Sequence, residues 1–346
     1  MNFTTINQPT LASSTAVLNN WGLIRVQGPD ASHFLQNQLT NSIEGLDPLL
    51  IGAMAAGPQQ VRLVGYCTAK GRLLASAWLV LIQATEPIYF LFISKDIAAT
   101  FAKRLAMFVL RAKVEVSDLS DTWHIQGVWQ KQGLVATPSD PDQLNEFPEQ
   151  TVTLTLPPTQ LIIAGIAQTY IRYLLATPVN EETRVAGSDT AMWNYLEVMS
   201  AIPRIVLATQ DQFVPQMINF ESVYGVDFKK GCYPGQEIVA RSQYRGAIKR
   251  RLYLAFSDCK IPIENPALFQ PGVEIFHSND PAQPAGMVVL SAPNPFNLAQ
   301  IYLQIECKLE MANMVMASPL SQLHLGMPNG PLLFLGEKLP YPLLEI

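Results

Sequence analysis

The sequence contains no run of 18 or more apolar residues, the minimum for a helix that spans a membrane. Its longest apolar stretch, ASAWLVLI at 75–82, has the length of a buried strand. The N-terminal segment MNFTTINQPTLASSTAV lacks the charged start and the apolar centre of a secretory signal peptide. We therefore expect a cytoplasmic protein that does not associate with membranes.

Cysteine is also scarce, and its spacing argues against two kinds of site. The four cysteines, Cys67, Cys232, Cys259 and Cys307, form no close pair of the type found in zinc and iron–sulfur sites. In a long chain without a secretory signal, cysteines are ordinarily reduced. The sequence thus predicts free thiols, no disulfide framework and no metal site of its own.

Charged residues make up only 15% of the 346 residues, hydrophobic residues make up 49%, and the formal net charge is −5. This composition indicates large cores and argues against a surface generally built for nucleic acid. One stretch, 229–251, differs, because seven basic side chains and one acidic side chain give it a charge of +6. An anion-binding groove, which Arg204 can join, is the preferred interpretation over a merely solvated basic face. The seven basic residues are Lys229, Lys230, Arg241, Arg245, Lys249, Arg250 and Arg251.

Hydrophobic patterning predicts an α+β protein whose last part is built from strands. Segments 95–110 and 187–205 have helical spacing, and Ser188 or Asp189 can cap the second one. Two strands are expected on either side of a turn at 69–71. After Arg251, short strand-like segments alternate with Pro, Gly, Asn and Asp, which is typical of a small barrel or sandwich. We predict three domains, at 1–120, 121–247 and 248–346.

Cys232 lies at the front of the basic stretch, in the sequence KKGCYPGQE. Gly231 and Gly235 predict a turn, and a helix is expected from about Gln236. The positive end of a helix and the preceding lysines would favour the thiolate of Cys232 over the thiol. The alternative is a small, buried, apolar side chain, as many free cysteines are.

The motif KGCYPGQE resembles the signature of the YgfZ-like folate-binding proteins, distant relatives of the T-protein (aminomethyltransferase) of the glycine cleavage system. Three other segments resemble the family in the expected order, so the resemblance covers most of the chain. They are LIRVQGPDASHFLQNQLTNSI at 23–43, YCTAKGRLLASAWL at 66–79 and PRIVLATQDQFVPQMINFE at 203–221.

The resemblance implies a three-domain, aminomethyltransferase-like folate-binding fold with a central opening and a C-terminal β-barrel. It implies that the protein binds tetrahydrofolate or a related reduced folate. Its implied partners are iron–sulfur cluster proteins or assembly factors, and its implied function is to support cluster assembly or repair and thereby tRNA modification. Cys232 is the implied reactive thiol, and the candidate folate-binding residues are Arg204, Lys230, Tyr233, Gln236, Glu237 and Arg241.

The sequence departs from the T-protein pattern where that pattern supplies carboxylates. T-proteins carry acidic residues where this chain has Ala75 and Ser76, and a pterin-binding glutamate where it has Val206. Without these groups, general acid–base help for aminomethyl transfer is missing. A tetrahydrofolate-dependent one-carbon (aminomethyl) transferase is the alternative function. Because the carboxylates are missing, an active aminomethyltransferase is not expected.

Two other classes of function are disfavoured. A cysteine hydrolase or acyltransferase needs a base beside the thiol, and none of the four histidines lies in a recognisable motif. A direct nucleic-acid binder could use residues 249–251, but the net charge of −5 leaves −11 outside the basic stretch, which would repel a polyanion. The histidines are His33, His124, His277 and His324.

Overall fold

The structure is a computed structural model that describes residues 13–132, 150–163, 165–179, 190–259, 265–336 and 338–344. Within these ranges the strands form two sheets and a closed barrel, accompanied by helices, which confirms the predicted α+β class. None of the helices in these ranges is long and apolar enough to cross a membrane. The helices are α1 Ala31–Gln36, α2 Lys95–Met107, α3 Ala191–Met199, α4 Gln236–Tyr244 and α5 Leu309–Ala317.

The first sheet is antiparallel and is covered by α2, which packs against four of its strands. The apolar spacing predicted for α2 places Ile97, Phe101 and Leu105 on its buried face. The predicted hairpin is confirmed, since its strands pair around residues 68–72. In order across the sheet, the strands are β4 Arg62–Cys67, β5 Leu73–Ile82, β6 Ile88–Ser94, β2 Trp21–Gln27 and β7 Glu115–Asp118.

The second sheet combines strands from distant parts of the chain. Two of its strands come from before residue 120 and pair with strands that follow residue 121. Sheet membership therefore crosses the predicted boundary at 120, and the three predicted ranges stay a prediction about folding units. The strands in order are β1 Ser13–Val17, β8 Trp123–Lys131, β11 Ile166–Pro178, β9 Val152–Thr155 and β3 Met54–Ala55, with β10 Thr159–Ile163 paired to β11.

The predicted C-terminal barrel is confirmed, and its first strand begins at Arg250. Its interior is a separate apolar core that includes Ile275, Leu303 and Leu325. Helix α5, which interrupts the run of strands in this part, was not predicted from the sequence. The barrel closes in the order β12 Arg250–Asp258, β15 Gln300–Lys308, β14 Asp280–Pro293, β13 Glu274–His277, β16 Leu323–Leu325 and β17 Leu332–Leu335.

Helix α3 joins the second sheet to the barrel, because it packs against strands of both. From the barrel, Gln304 Nε2 donates hydrogen bonds to the backbone oxygens of Glu197 at 3.1 Å and Val198 at 2.9 Å. The helix ends at Met199, four residues before the proline that was expected to end it. The predicted caps, Ser188 and Asp189, lie outside the described residues. The hydrogen bonds from Gln304 thus fix the last turn of α3 against the barrel.

A glycine on β8 permits the close packing of α3 on the second sheet. A Cβ at Gly127 would lie 2.4 Å from Cε3 of Trp193, which is fully buried. We expect Gly127→Ala to lower the free energy of unfolding by about 1–3 kcal/mol, because the ring has no room to move. Urea unfolding measures this change.

Gly231→Ala is the matched control, because a Cβ at Gly231 would meet nothing within 4 Å. An equal loss of stability in the two variants would contradict the packing argument.

Candidate functional site

A cleft of about 510 Å³ opens where the first sheet, α3 and the barrel meet. Its volume lies in the range of small-molecule sites, and such sites often lie between domains. The wall combines apolar and hydrogen-bonding side chains from all three parts. They include Asn20, Lys95, Asp96, Asn194, Glu197, Arg204, Val206, Phe269, Gln270, Leu290 and Ser291.

Arg204 lies in the wall of this cleft, but its guanidinium already has partners. Its Nε lies 2.6 Å from Oε1 of Glu197, and its Nη2 donates to Oε2 at 3.1 Å. Its Nη1 donates to Ser94 Oγ at 2.8 Å, and the group stacks 4.6 Å from the ring centroid of Trp21. Both charged side chains are less than a tenth exposed. Arg204 therefore shapes the cleft more than it offers a ligand a free cation.

The three positions where the resemblance to T-proteins predicts carboxylates hold uncharged groups in this chain. Ala75 is buried, and Ser76 Oγ accepts a hydrogen bond from the backbone N–H of Ile205 at 2.9 Å. Val206 contributes an apolar surface to the cleft. The nearby carboxylate of Asp96 accepts the N–H of Leu207 at 2.9 Å. The cleft therefore contains carboxylates, but from positions that the sequence reading did not single out.

Lys230 of the signature loop points inward. Its Nζ donates to the carbonyl oxygens of Gln36 and Leu39, each at 2.5 Å, and to that of Asn41 at 3.5 Å. Burial lowers the pKa of Lys230 to about 8, although Asp227 and another nearby carboxylate act in the opposite direction. The ammonium thus links the signature loop to the end of α1 and to the segment that follows it.

Tyr233 and Gln236 of the signature both contact Lys230. The ammonium of Lys230 lies 5.3 Å from the ring centroid of Tyr233, which is buried, and burial raises the pKa of that tyrosine. Gln236 Nε2 donates to the Lys230 carbonyl at 3.4 Å. Gly235 has a φ of 80°, and a Cβ there would lie 2.2 Å from the carbonyl oxygen of Thr68. The loop therefore rests directly on the hairpin of the first sheet.

The other two signature candidates lie on the surface of α4. Glu237 and Arg241 are exposed, and although their spacing favours a helical ion pair, their charged groups are not within 4 Å of each other. Neither they nor the packed signature residues line the 510 Å³ cleft, so the structure separates them from Arg204.

The basic stretch divides into buried and exposed cations. Arg250 Nη1 lies 2.7 Å from Oε1 of Glu306, and Arg251 forms a buried ion pair with Glu221. The exposed members are Lys229, Arg241, Arg245 and Lys249. Arg250 is partly exposed but is paired with Glu306, and that the stretch meets an anion stays a prediction.

Cys232 is exposed, and the other three thiols are buried or partly buried. Burial raises the pKa of Cys67 and of Cys307 to about 12 in each case. Burial, with a contribution from Asp258, raises the pKa of Cys259. Cys232 precedes the first residue of α4 by four positions, separated from it by a turn. The alternative of a buried apolar side chain is therefore wrong, and the predicted reactivity stays a prediction.

Comparison with known proteins gives both sequence relatives and a structural neighbour. The chain is 31% identical over 252 residues to the tRNA-modifying protein YgfZ of Photobacterium profundum, covering 72% of each chain. It is 32% identical over 246 residues to the protein of the same name from Edwardsiella ictaluri, covering 68% of this chain and 69% of the relative. No protein-family model matches the chain.

In structure, the chain is similar to the glycine cleavage system aminomethyltransferase T of Bartonella henselae. The TM-score is 0.55 at 13% identity, over 95% of this chain and 86% of the other. The fold is therefore that of the aminomethyltransferases, with the expected C-terminal barrel. The sequence identity over more than two thirds of the chain is more specific, and the protein belongs to the YgfZ family. This confirms the resemblance carried by KGCYPGQE.

The buried hydrogen bonds of Lys230 predict a large effect on stability. We expect Lys230→Met to lower the free energy of unfolding by about 2–3 kcal/mol, because buried carbonyl oxygens lose a charged donor. Lys229→Met is the matched control, since Lys229 is exposed, and its effect should stay within about 0.5 kcal/mol. Chemical denaturation at neutral pH measures both. Equal effects would show that the inward contacts of Lys230 contribute nothing.

The exposure of the thiols predicts their order of alkylation. With limiting iodoacetamide on the folded protein, Cys232 should react first, because the thiolate is the nucleophile and the other thiols are shielded with raised pKa values. Mass spectrometry of the digested protein gives the order. Earlier labelling of Cys259 or Cys307 would refute the assignment, and labelling in denaturant provides the control for intrinsic reactivity.

Proposed function

We propose that the protein binds a reduced folate in the 510 Å³ cleft and uses Cys232 to support iron–sulfur cluster proteins, and thereby tRNA modification. The observation that carries this proposal is that Cys232 is the exposed thiol. It belongs to a loop that is held in place by the hydrogen bonds of the buried Lys230 side chain. Sequence relatives carry the name tRNA-modifying protein, which supports the same direction.

The cleft has the chemical groups that a folate requires. A flat pterin ring can pack against apolar side chains such as Phe269 and Leu290, while Asn194, Gln270 and Ser291 offer hydrogen bonds. The volume suits a ligand larger than a single ring. The lining therefore supports binding of tetrahydrofolate or a close derivative.

Binding without one-carbon transfer fits this cleft better than catalysis does. Of the carboxylates in its wall, Glu197 is held by Arg204 and Asp96 accepts a backbone N–H. Neither is positioned as an unengaged base, and the T-protein positions carry no acid. The aminomethyltransferase alternative therefore lacks the groups for proton transfer.

An exposed thiol outside the cleft suits work on a protein partner. Its thiolate can attack a partner disulfide, forming one mixed disulfide while the other partner sulfur leaves as a thiolate. It can also supply one ligand to iron that a partner holds. The described residues bring together no group of three or more His, Cys, Asp or Glu side chains placed to hold a metal, so a partner would supply the remaining ligands.

Filling the cleft tests the folate proposal. Val206→Phe places a larger side chain in the wall, and we expect it to weaken binding of tetrahydrofolate at least about tenfold, since overlap removes contacts worth more than about 1.4 kcal/mol. Leu207→Phe is the matched control, because Leu207 is exposed and does not line the cleft. Titration calorimetry measures both. Unchanged affinity in Val206→Phe would place the folate elsewhere, and no binding by the parent would refute the proposal.

Replacing the thiol tests the role of Cys232. In cells that lack their own YgfZ-family protein, Cys232→Ser should fail to restore cluster-enzyme activity and tRNA modification, while folding and folate binding stay near the parent values. Cys259→Ser is the control, because it removes a less exposed thiol by the same change. Nucleoside mass spectrometry of tRNA and cluster-enzyme assays give the readouts. Full restoration by Cys232→Ser would make that thiol dispensable and the proposal wrong.

A further inference from the structure

A second, smaller cavity of about 20 Å³ adjoins the Glu197–Arg204 pair. The two spaces share these two side chains. A volume of this size holds about one small molecule or ion of the dimensions of water. Its other lining residues come from both sheets and the end of α3, and include Trp21, Ser76, Trp78, Phe92, Arg172 and Ser200.

Arg172, on β11, has an unusual environment in this cavity. The residue is only 2% exposed, and its Nε has no hydrogen-bond partner. Its guanidinium stacks 5.5 Å from the ring centroid of Trp193, which offsets part of the cost of burial. No carboxylate among the described residues lies within 4 Å of it. Burial lowers the pKa of Arg172 to about 10, although the Glu197 carboxylate acts in the opposite direction, so the side chain remains charged at neutral pH.

The charges that line the cavity do not cancel. Glu197 is the acidic residue in its lining, and both carboxylate oxygens accept hydrogen bonds from Arg204. Glu197 also attracts Arg172, but two guanidinium groups and one carboxylate leave one net positive charge, which is unfavourable when buried. A second unpartnered donor, Nε1 of Trp21, belongs to the same lining.

We propose that this cavity is a binding site for a small monovalent anion, held by Nε of Arg172 and Nε1 of Trp21. A water molecule could accept both hydrogen bonds, but it would leave the positive charge uncompensated. The volume favours the smallest monovalent anions, of which chloride is nearer to water in size than formate is, and it excludes sulfate and phosphate. The ligand class is therefore a halide or a one-carbon carboxylate. The site does not depend on folate binding.

Anion-dependent stability of the full-length protein provides the first test. Sodium chloride or sodium formate replaces sodium gluconate at constant ionic strength, and the unfolding midpoint is recorded. At about 100 times the dissociation constant, the parent should gain roughly 3–5 °C in a saturable manner. Arg172→Met should lose this gain. Arg111→Met, which removes an exposed arginine by the same change, should retain it.

The comparison of the two salts identifies the ligand, since the tighter one gives the lower half-saturation concentration. Saturable gains in the parent and in Arg111→Met, but not in Arg172→Met, support the site. Equal responses of all three proteins, or no response of the parent to either salt, overturn it.

Bromide provides a second test that needs no variant, which matters if Arg172→Met does not fold. A crystal of the parent grown in sodium bromide should show an anomalous peak within hydrogen-bond distance of Nε of Arg172 and Nε1 of Trp21. A peak with these two contacts supports the proposal. Water density without anomalous signal there overturns it.

Discussion

The buried ion pair between Glu197 and Arg204 connects all the parts of this protein. Glu197 comes from α3, and Arg204 reaches from it to Ser94 and Trp21 of the first sheet. From the barrel, Gln304 donates to the backbone at Glu197. Removing one partner of a buried pair costs about 3–5 kcal/mol, because the other charge is left uncompensated. The cleft and the smaller cavity are both lined by these two side chains, and both therefore depend on this contact.

The proposed function separates the fold of this chain from the chemistry of the aminomethyltransferases. The fold holds a cleft between the first sheet, α3 and the barrel. Of the three positions where the resemblance to T-proteins predicts acids, only Val206 lines this cleft, whereas Ala75 and Ser76 lie outside it. The reactive candidate, Cys232, belongs to a different surface. A binding cleft and an exposed thiol on one scaffold are what a ligand-dependent helper of other proteins needs, whereas a transferase would bring acid, base and ligand together.

The sequence predicted helices and strands well where the hydrophobic periodicity was strong. It predicted less well which charged side chains are buried. Apolar spacing was sufficient for α2, and KGCYPGQE was sufficient for the family. Lys230 and Arg251 looked like surface cations in a basic run, but both are buried. The carbonyl oxygens that accept hydrogen bonds from Lys230 belong to the backbone, so no residue type in the sequence indicates them. Burial of Arg172 and Glu197 did have a signal in the sequence, because each is a lone charge in an apolar segment of a chain with few charges.

By itself, the sequence determined the fold class, the barrel and the signature loop, because these depend on local patterning and on a motif of contiguous residues. Only the tertiary structure decided which charges are neutralised and which thiol is exposed. Residues 172, 197 and 204 come from different elements, and their contacts depend on how α3 packs between sheet and barrel. Burial of a charge is a property of that packing, since the cost of desolvation arises only when distant segments together exclude water.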